Sequence, residues 1–121
     1  TVRSGSIGTQ SLVGSVLVED TAKAIQRHGD DVVTPELLRG VRLAGQVRAE
    51  NALALTTLFA SKPELAPAAE ALDAASKRYA SAATLLEVKH LEQGVPELIE
   101  AAKLDRAAGD VLVAIGDAGV R

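Results

Sequence analysis

Hydrophobic positions along this chain recur at spacings of three and four and show no period-two alternation, which predicts helices and no strands. Over "VRLAGQVRAENALALTTLF", residues 41–59, a helix turning about 100° per residue aligns Val41, Ala44, Gly45, Ala52, Leu55 and Phe59 on one stripe. Arg48 falls near the centre of that stripe. The first helical stretch repeats the anomaly, with Asp20 set among Val13, Val16, Leu17 and Ala24. Further along, Leu65, Leu72, Ala75, Tyr79, Ala82 and Leu86 form a third stripe, and Ala101, Leu104, Ala108, Val111 and Ile115 a fourth. Both read as core seams.

Punctuation between the stripes predicts the bounds. A first helix over about 11–27 follows the Gly/Ser-rich "RSGSIGTQS" and is closed by Gly29. Thr34-Pro35-Glu36 supplies an N-cap and a proline at the first helical position, opening a helix over about 35–60. Ser61 and Glu64 have capping-box spacing and open a helix over about 64–92, with Pro67 making its first turn irregular and Gly94 as its stop. Val95-Pro96-Glu97 then starts a last helix over about 96–116, in which Gly109 is a weak point. Long helices joined by connections of roughly 3–7 residues predict a single all-α domain over 1–121, an antiparallel up-down-up-down four-helix bundle with both termini at one end.

Composition changes this picture in two ways. Hydrophobic residues make up 47% of the 121, yet there is one Tyr, one Phe and no Trp, so Ala and Leu must do the packing. Ala-rich seams bring helix axes close and leave little internal volume, which favours a small site at an edge or subunit interface and argues against a large cofactor cavity; no cofactor is expected. A net charge of −3 with so few aromatics argues against nucleic acid, which needs clustered Lys and Arg and stacking rings. The absence of Cys excludes disulfides, thiolate metal sites and cysteine nucleophiles. No apolar run approaches the ~18 residues of a membrane span, so any membrane attachment is expected through segments outside this chain. The start at Thr1 and the absence of Met fit a piece of something longer.

The two inward charges admit three readings. Asp20 and Arg48 can meet as an ion pair that fixes helix register. Arg48 can instead snorkel from a flanking position. Or Arg48, with Asn51 on the next turn, can present donors to a small anion between helices or between the subunits of a homodimer, since guanidinium offers a planar fork suited to oxyanions. Arg39 and Arg42 read as solvated surface charges. Catalytic and metal motifs are missing, and His28 and His90 sit near helix ends, where imidazolium can face the helix dipole. No enzyme activity and no metal are expected.

The second helix with "GQVRAENALALTTLFA" and the Ala-rich "AAEALDAASKRYASAATLLE" of the third resemble the nitrate- and nitrite-sensing helical domains. More loosely, they are similar to the four-helix ligand-binding ectodomains of bacterial sensor kinases and chemoreceptors. The resemblance covers residues 35–90, and Gln46, Arg48, Glu50, Thr56, Thr57 and Phe59 supply residue types like the family's, although Arg48 precedes the acidic residue instead of following it. It implies a ligand-sensing domain on the extracytoplasmic face of a bacterial inner membrane, a dimer that converts binding into a small helix displacement. Two alternatives stand beside it. One is a helical interaction or adaptor module, cytoplasmic, with no small ligand. The other is a histidine phosphotransfer domain, which "HLEQG" resembles through His90 and Gly94, with Gln93 where that family has lysine and Pro96 soon after.

Overall fold

A computed structural model describes residues 4–58 and 62–119, with side chains described over 7–57 and 62–115. All four long elements are helices: α1 Ser4–His28, α2 Pro35–Leu58, α3 Ala66–Glu87 and α4 Leu91–Gly119. Among the described residues there is no strand. Short 3₁₀ turns, Gly29–Val32 and Pro63–Leu65, precede α2 and α3.

The boundaries follow from local chemistry. Gly29 ends α1 in the left-handed region at φ 64°, a conformation that costs glycine little. Thr34 caps α2, its Oγ1 accepting the Leu37 N–H at 3.1 Å, and Pro35 fills the first position, where a missing donor does no harm. The expected capping-box serine, Ser61, and the stripe residue Phe59 lie outside the described residues. Pro67 sits in the first turn of α3, where proline is tolerated.

Three predicted bounds are corrected. α1 begins at Ser4 rather than near 11, because the Gly/Ser-rich opening is itself helical. α3 stops at Glu87 rather than near 92, and the residue that stops it is Lys89, not Gly94. Lys89 adopts φ 67°, its N–H donates to the Leu86 carbonyl at 3.1 Å, and the His90 N–H donates to the Leu85 carbonyl at 2.8 Å. These are the two bonds of a Schellman cap. α4 then starts at Leu91, with the Gln93 and Gly94 amides on the His90 carbonyl, and it carries Pro96 inside. Gly94 serves packing instead: a Cβ there would lie 2.9 Å from Leu86 Cδ2. Pro96 is exposed, so water can satisfy the carbonyl that its missing N–H leaves free.

The helices pair α2 with α3, α3 with α4 and α4 with α1, whereas α1 and α2 barely touch. Arg42 of α2 reaches Glu87 at the end of α3 at 3.0 Å, Arg78 of α3 reaches Glu97 early in α4 at 2.8 Å, and Glu19 of α1 meets Arg106 of α4 at 2.6 Å. The α1 and α4 backbones approach closely at Gly8 and Gly109, where a Cβ on Gly8 would stand 3.0 Å from the Gly109 carbonyl oxygen.

The predicted α3 stripe is buried throughout, from Leu65 to Leu86. On α2, Val41, Gly45, Ala52 and Leu55 are buried and Ala44 half-buried, as expected. On α1 the phase differs. Val13 is 56% exposed and Leu17 62% exposed, and Asp20 is exposed too, while Ile7, Ser11, Ser15, Ala22 and Ile25 face inward. The smaller, more polar side of α1 is buried because it must approach α4 closely at Gly8 and cover a polar layer.

That layer divides the core. One apolar cluster gathers around Ile25, Val41, Tyr79, Leu86 and Leu98, and another around Ile7, Leu55, Leu65, Leu72 and Leu112. Between them in the order of each helix stand Ser11 and Ser15 of α1, Arg48 of α2 and Asp105 of α4, all buried.

Candidate functional site

The sequence places Arg48 on the inward stripe of α2, and there it lies, 6% exposed. Its partner is Asp105, not Asp20: Nε donates to Oδ1 at 2.7 Å. Asp20 is on the exposed face of α1, so the expected Asp20–Arg48 pair does not form. Asp105 also accepts the Tyr79 hydroxyl on Oδ2. One carboxylate thus ties α2, α3 and α4 together. Ser11 Oγ is buried without a hydrogen-bond partner among the described residues, yet it is near enough to Asp105 to favour its ionised form.

Asp105 is the residue that sequence reading missed. The spacing Leu98, Ala101, Asp105, Ala108, Leu112 is a regular three-four seam, and all five are buried. Reading the neighbouring stripe through Leu104 and Val111, which are only half-buried, skipped the one charged member.

Burial shapes the electrostatics. It pushes the Asp105 carboxyl above its ordinary range, and the Tyr79 hydroxyl, Arg48 and Ser11 offset that only in part. Burial, then the Asp105 carboxylate, push the Tyr79 phenol far above the usual range for tyrosine, so it remains a donor at any ordinary pH. A phenol held this way is a poor proton carrier, and its titratable neighbour in the layer is the Asp105 carboxyl.

On its other side Arg48 faces α1. Nη2 occupies the space where a Cβ on Gly14 would stand, so the missing side chain of Gly14 is what admits the guanidinium. Because α1 and α2 do not close on each other, a groove runs between them, and Arg48 lies on its floor. One lobe of about 420 Å³ is lined by apolar side chains of α1 and α2 with Leu98 of α4, and Arg48 is its one charged residue. A second lobe of about 410 Å³ continues past Arg48 to Gln10 and Val13. The anion-site candidate Asn51 stands beside that second lobe and donates from Nδ2 to Gln10 Oε1 at 3.4 Å.

The remaining residues that carried the family resemblance do not gather here. Gln46 and Glu50 are exposed, and the Thr56 and Thr57 hydroxyls donate to the Ala52 and Leu53 carbonyls of their own helix, at 2.9 and 3.0 Å. His90 is exposed in the turn between α3 and α4. No group of His, Cys, Asp and Glu among the described residues is arranged to hold a metal ion, and no described helix is long and apolar enough to cross a membrane. No protein-family model, curated protein or solved structure matches this chain.

Proposed function

We propose that this chain is a non-enzymatic ligand-sensing bundle, the input domain of a bacterial signal-transduction receptor, which takes its ligand between α1 and α2 against Arg48. The observation that carries this reading is the placement of Arg48 on the floor of the loosely packed α1–α2 seam, held from behind by Asp105. In this reading the helices alternate up-down-up-down, supported by the pairings Arg42–Glu87, Leu86–Gly94 and Gly8–Gly109.

A ligand signals only by binding two arrangements with different affinity. The α1–α2 seam is the least packed, and α1 is fastened chiefly to α4, so a ligand bridging the groove would draw α1 and α4 together against α2 and α3. A small helix displacement is the output. A homodimer at the extracytoplasmic face of an inner membrane would pass that displacement on through segments outside this chain.

A second reading has its own support. Val13, Val16, Leu17 and Leu43 are at least half exposed and give α1 and the groove rim an apolar surface of the kind that engages a partner helix. In that adaptor reading Arg48 is purely structural. Phosphotransfer draws least support, since His90 lies in a turn and not along a helix.

Thermal unfolding separates the two main readings. The panel is small anions, amino acids, dicarboxylates and aliphatic carboxylates, applied at fixed ionic strength to the parent and to Gly40→Phe. Gly40 lines the groove and a Cβ there meets nothing within 4 Å, so the variant sets a ring at the groove wall without a backbone clash. A compound that raises the parent midpoint, through selective binding to the folded state, and leaves Gly40→Phe unmoved supports sensing. A panel in which nothing moves the parent sinks it.

A further inference from the structure

We propose that the groove ligand is an amphiphile with one negative charge, an aliphatic carboxylate of medium chain length, and not a small inorganic anion. This rests on the ligand-sensing reading above and names its ligand class. The lobe between α1 and α2 has walls of Leu17, Val18, Leu37, Val41, Leu43 and Leu98, with a single charge, Arg48, at one end. Its one hydroxyl, on Thr21, is already spent on the Leu17 carbonyl at 2.9 Å. A volume of about 420 Å³ falls within the range of small-molecule sites.

Each part of that surface selects a part of the ligand. The guanidinium calls for an anionic head and rejects a cationic one. Its Nε is committed to Asp105, so a head group must be met from the Nη side, which faces Gly14 and the groove. Asp105 compensates part of the charge, which leaves the head attraction modest and makes chain burial the larger source of affinity. An inorganic oxyanion would leave the leucine and valine walls uncovered. A dicarboxylate would bury its second charge among them with no partner, which is costly. Beyond Arg48 the second lobe carries Gln10, and the Asn51 amide stands on Gln10. The polar end of the ligand therefore points toward Gln10 and its chain toward Leu37.

The test is a calorimetric titration of the full chain with straight-chain carboxylates from acetate to decanoate, below their aggregation concentrations and at one ionic strength. Nitrate, octanol and octylammonium serve as controls. The dissociation constant should tighten about two- to fourfold per added methylene until the lobe is filled. Octanol should bind about tenfold or more weakly than octanoate, having lost its charge-assisted bond, and octylammonium should not bind. Gly40→Phe, folded as judged by its midpoint, should lose octanoate. Nitrate or acetate binding as tightly as octanoate would overturn this ligand class and leave the sensing reading standing. Octylammonium matching octanoate, or octanoate binding that Gly40→Phe does not alter, would overturn it as well. Silence from every compound would overturn both readings.

Discussion

Arg48 of α2 donates through Nε to Oδ1 of Asp105 on α4 at 2.7 Å, joining two helices that are not packing neighbours. The pair is buried on both sides, so removing either member strands the other charge. Arg48→Ala or Asp105→Ala should each lower stability by about 3–5 kcal/mol. The paired apolar replacement Arg48→Met with Asp105→Leu should cost much less than the sum of the singles, and urea denaturation of the three variants checks both claims. A double variant as unstable as the two singles combined would mean that the residues do not act as a pair.

Tyr79 contributes one hydrogen bond to that carboxylate and otherwise fills the core with its ring. Tyr79→Phe keeps the ring and should cost about 1.5–3 kcal/mol, the range for a bond to a charged acceptor. It should also move the Asp105 titration further upward, because the phenol favours the ionised carboxylate. Carbonyl-carbon NMR of the Asp105 side chain reads that shift.

Burial raises the Asp105 carboxyl above its unfolded value, and the sign of the pH dependence follows. Between the ordinary carboxylate range and the raised one, the folded state holds a proton that the unfolded state releases. This group's stabilising contribution is therefore complete at acid pH and is lost as the pH rises through the folded pKa. Asp105→Asn lacks that loss. The stability advantage of the parent over Asp105→Asn should shrink as the pH rises through that window, and paired denaturation curves at several pH values would reveal an opposite slope if the direction is wrong.

Glycines on the packed and open sides of the bundle should behave oppositely. Gly109→Ala would set a Cβ 2.7 Å from Leu12 Cγ and 2.9 Å from the Gly8 carbonyl oxygen, and overpacking of this kind costs about 1–3 kcal/mol. Gly40→Ala meets nothing within 4 Å and should stabilise by about 0.5–1 kcal/mol through helix propensity. Thermal midpoints of the two variants moving in the same direction would contradict this division into a tight and an open seam.

Much of the architecture was legible in the sequence. The α3 seam is dense, regular and almost wholly apolar, so periodicity alone identifies its buried side. Arg48 was legible as an inward charge for the same reason. α1 was not, because Val13, Val16 and Leu17 outweigh Ser11 and Ser15 in any hydrophobic average. What decides its phase is long-range: the close approach of Gly8 to Gly109 and the need to cover Arg48 and Asp105. The turn at Lys89 was hidden because glycine is the usual left-handed residue. Here a lysine takes that position with its ammonium on Asp30 at 3.2 Å. The groove, being a gap between two helices, has no local signature at all.

In the proposed function Arg48 faces two ways, to Asp105 through Nε and to a groove ligand through its terminal nitrogens. Nitrogen-detected NMR of the Arg48 side chain during an octanoate titration tests it most directly. The Nη resonances should move and saturate with the ligand while the Nε–H stays protected from exchange, still bonded to Asp105. Saturable binding that leaves every Arg48 resonance in place would contradict it and put the ligand elsewhere on the molecule.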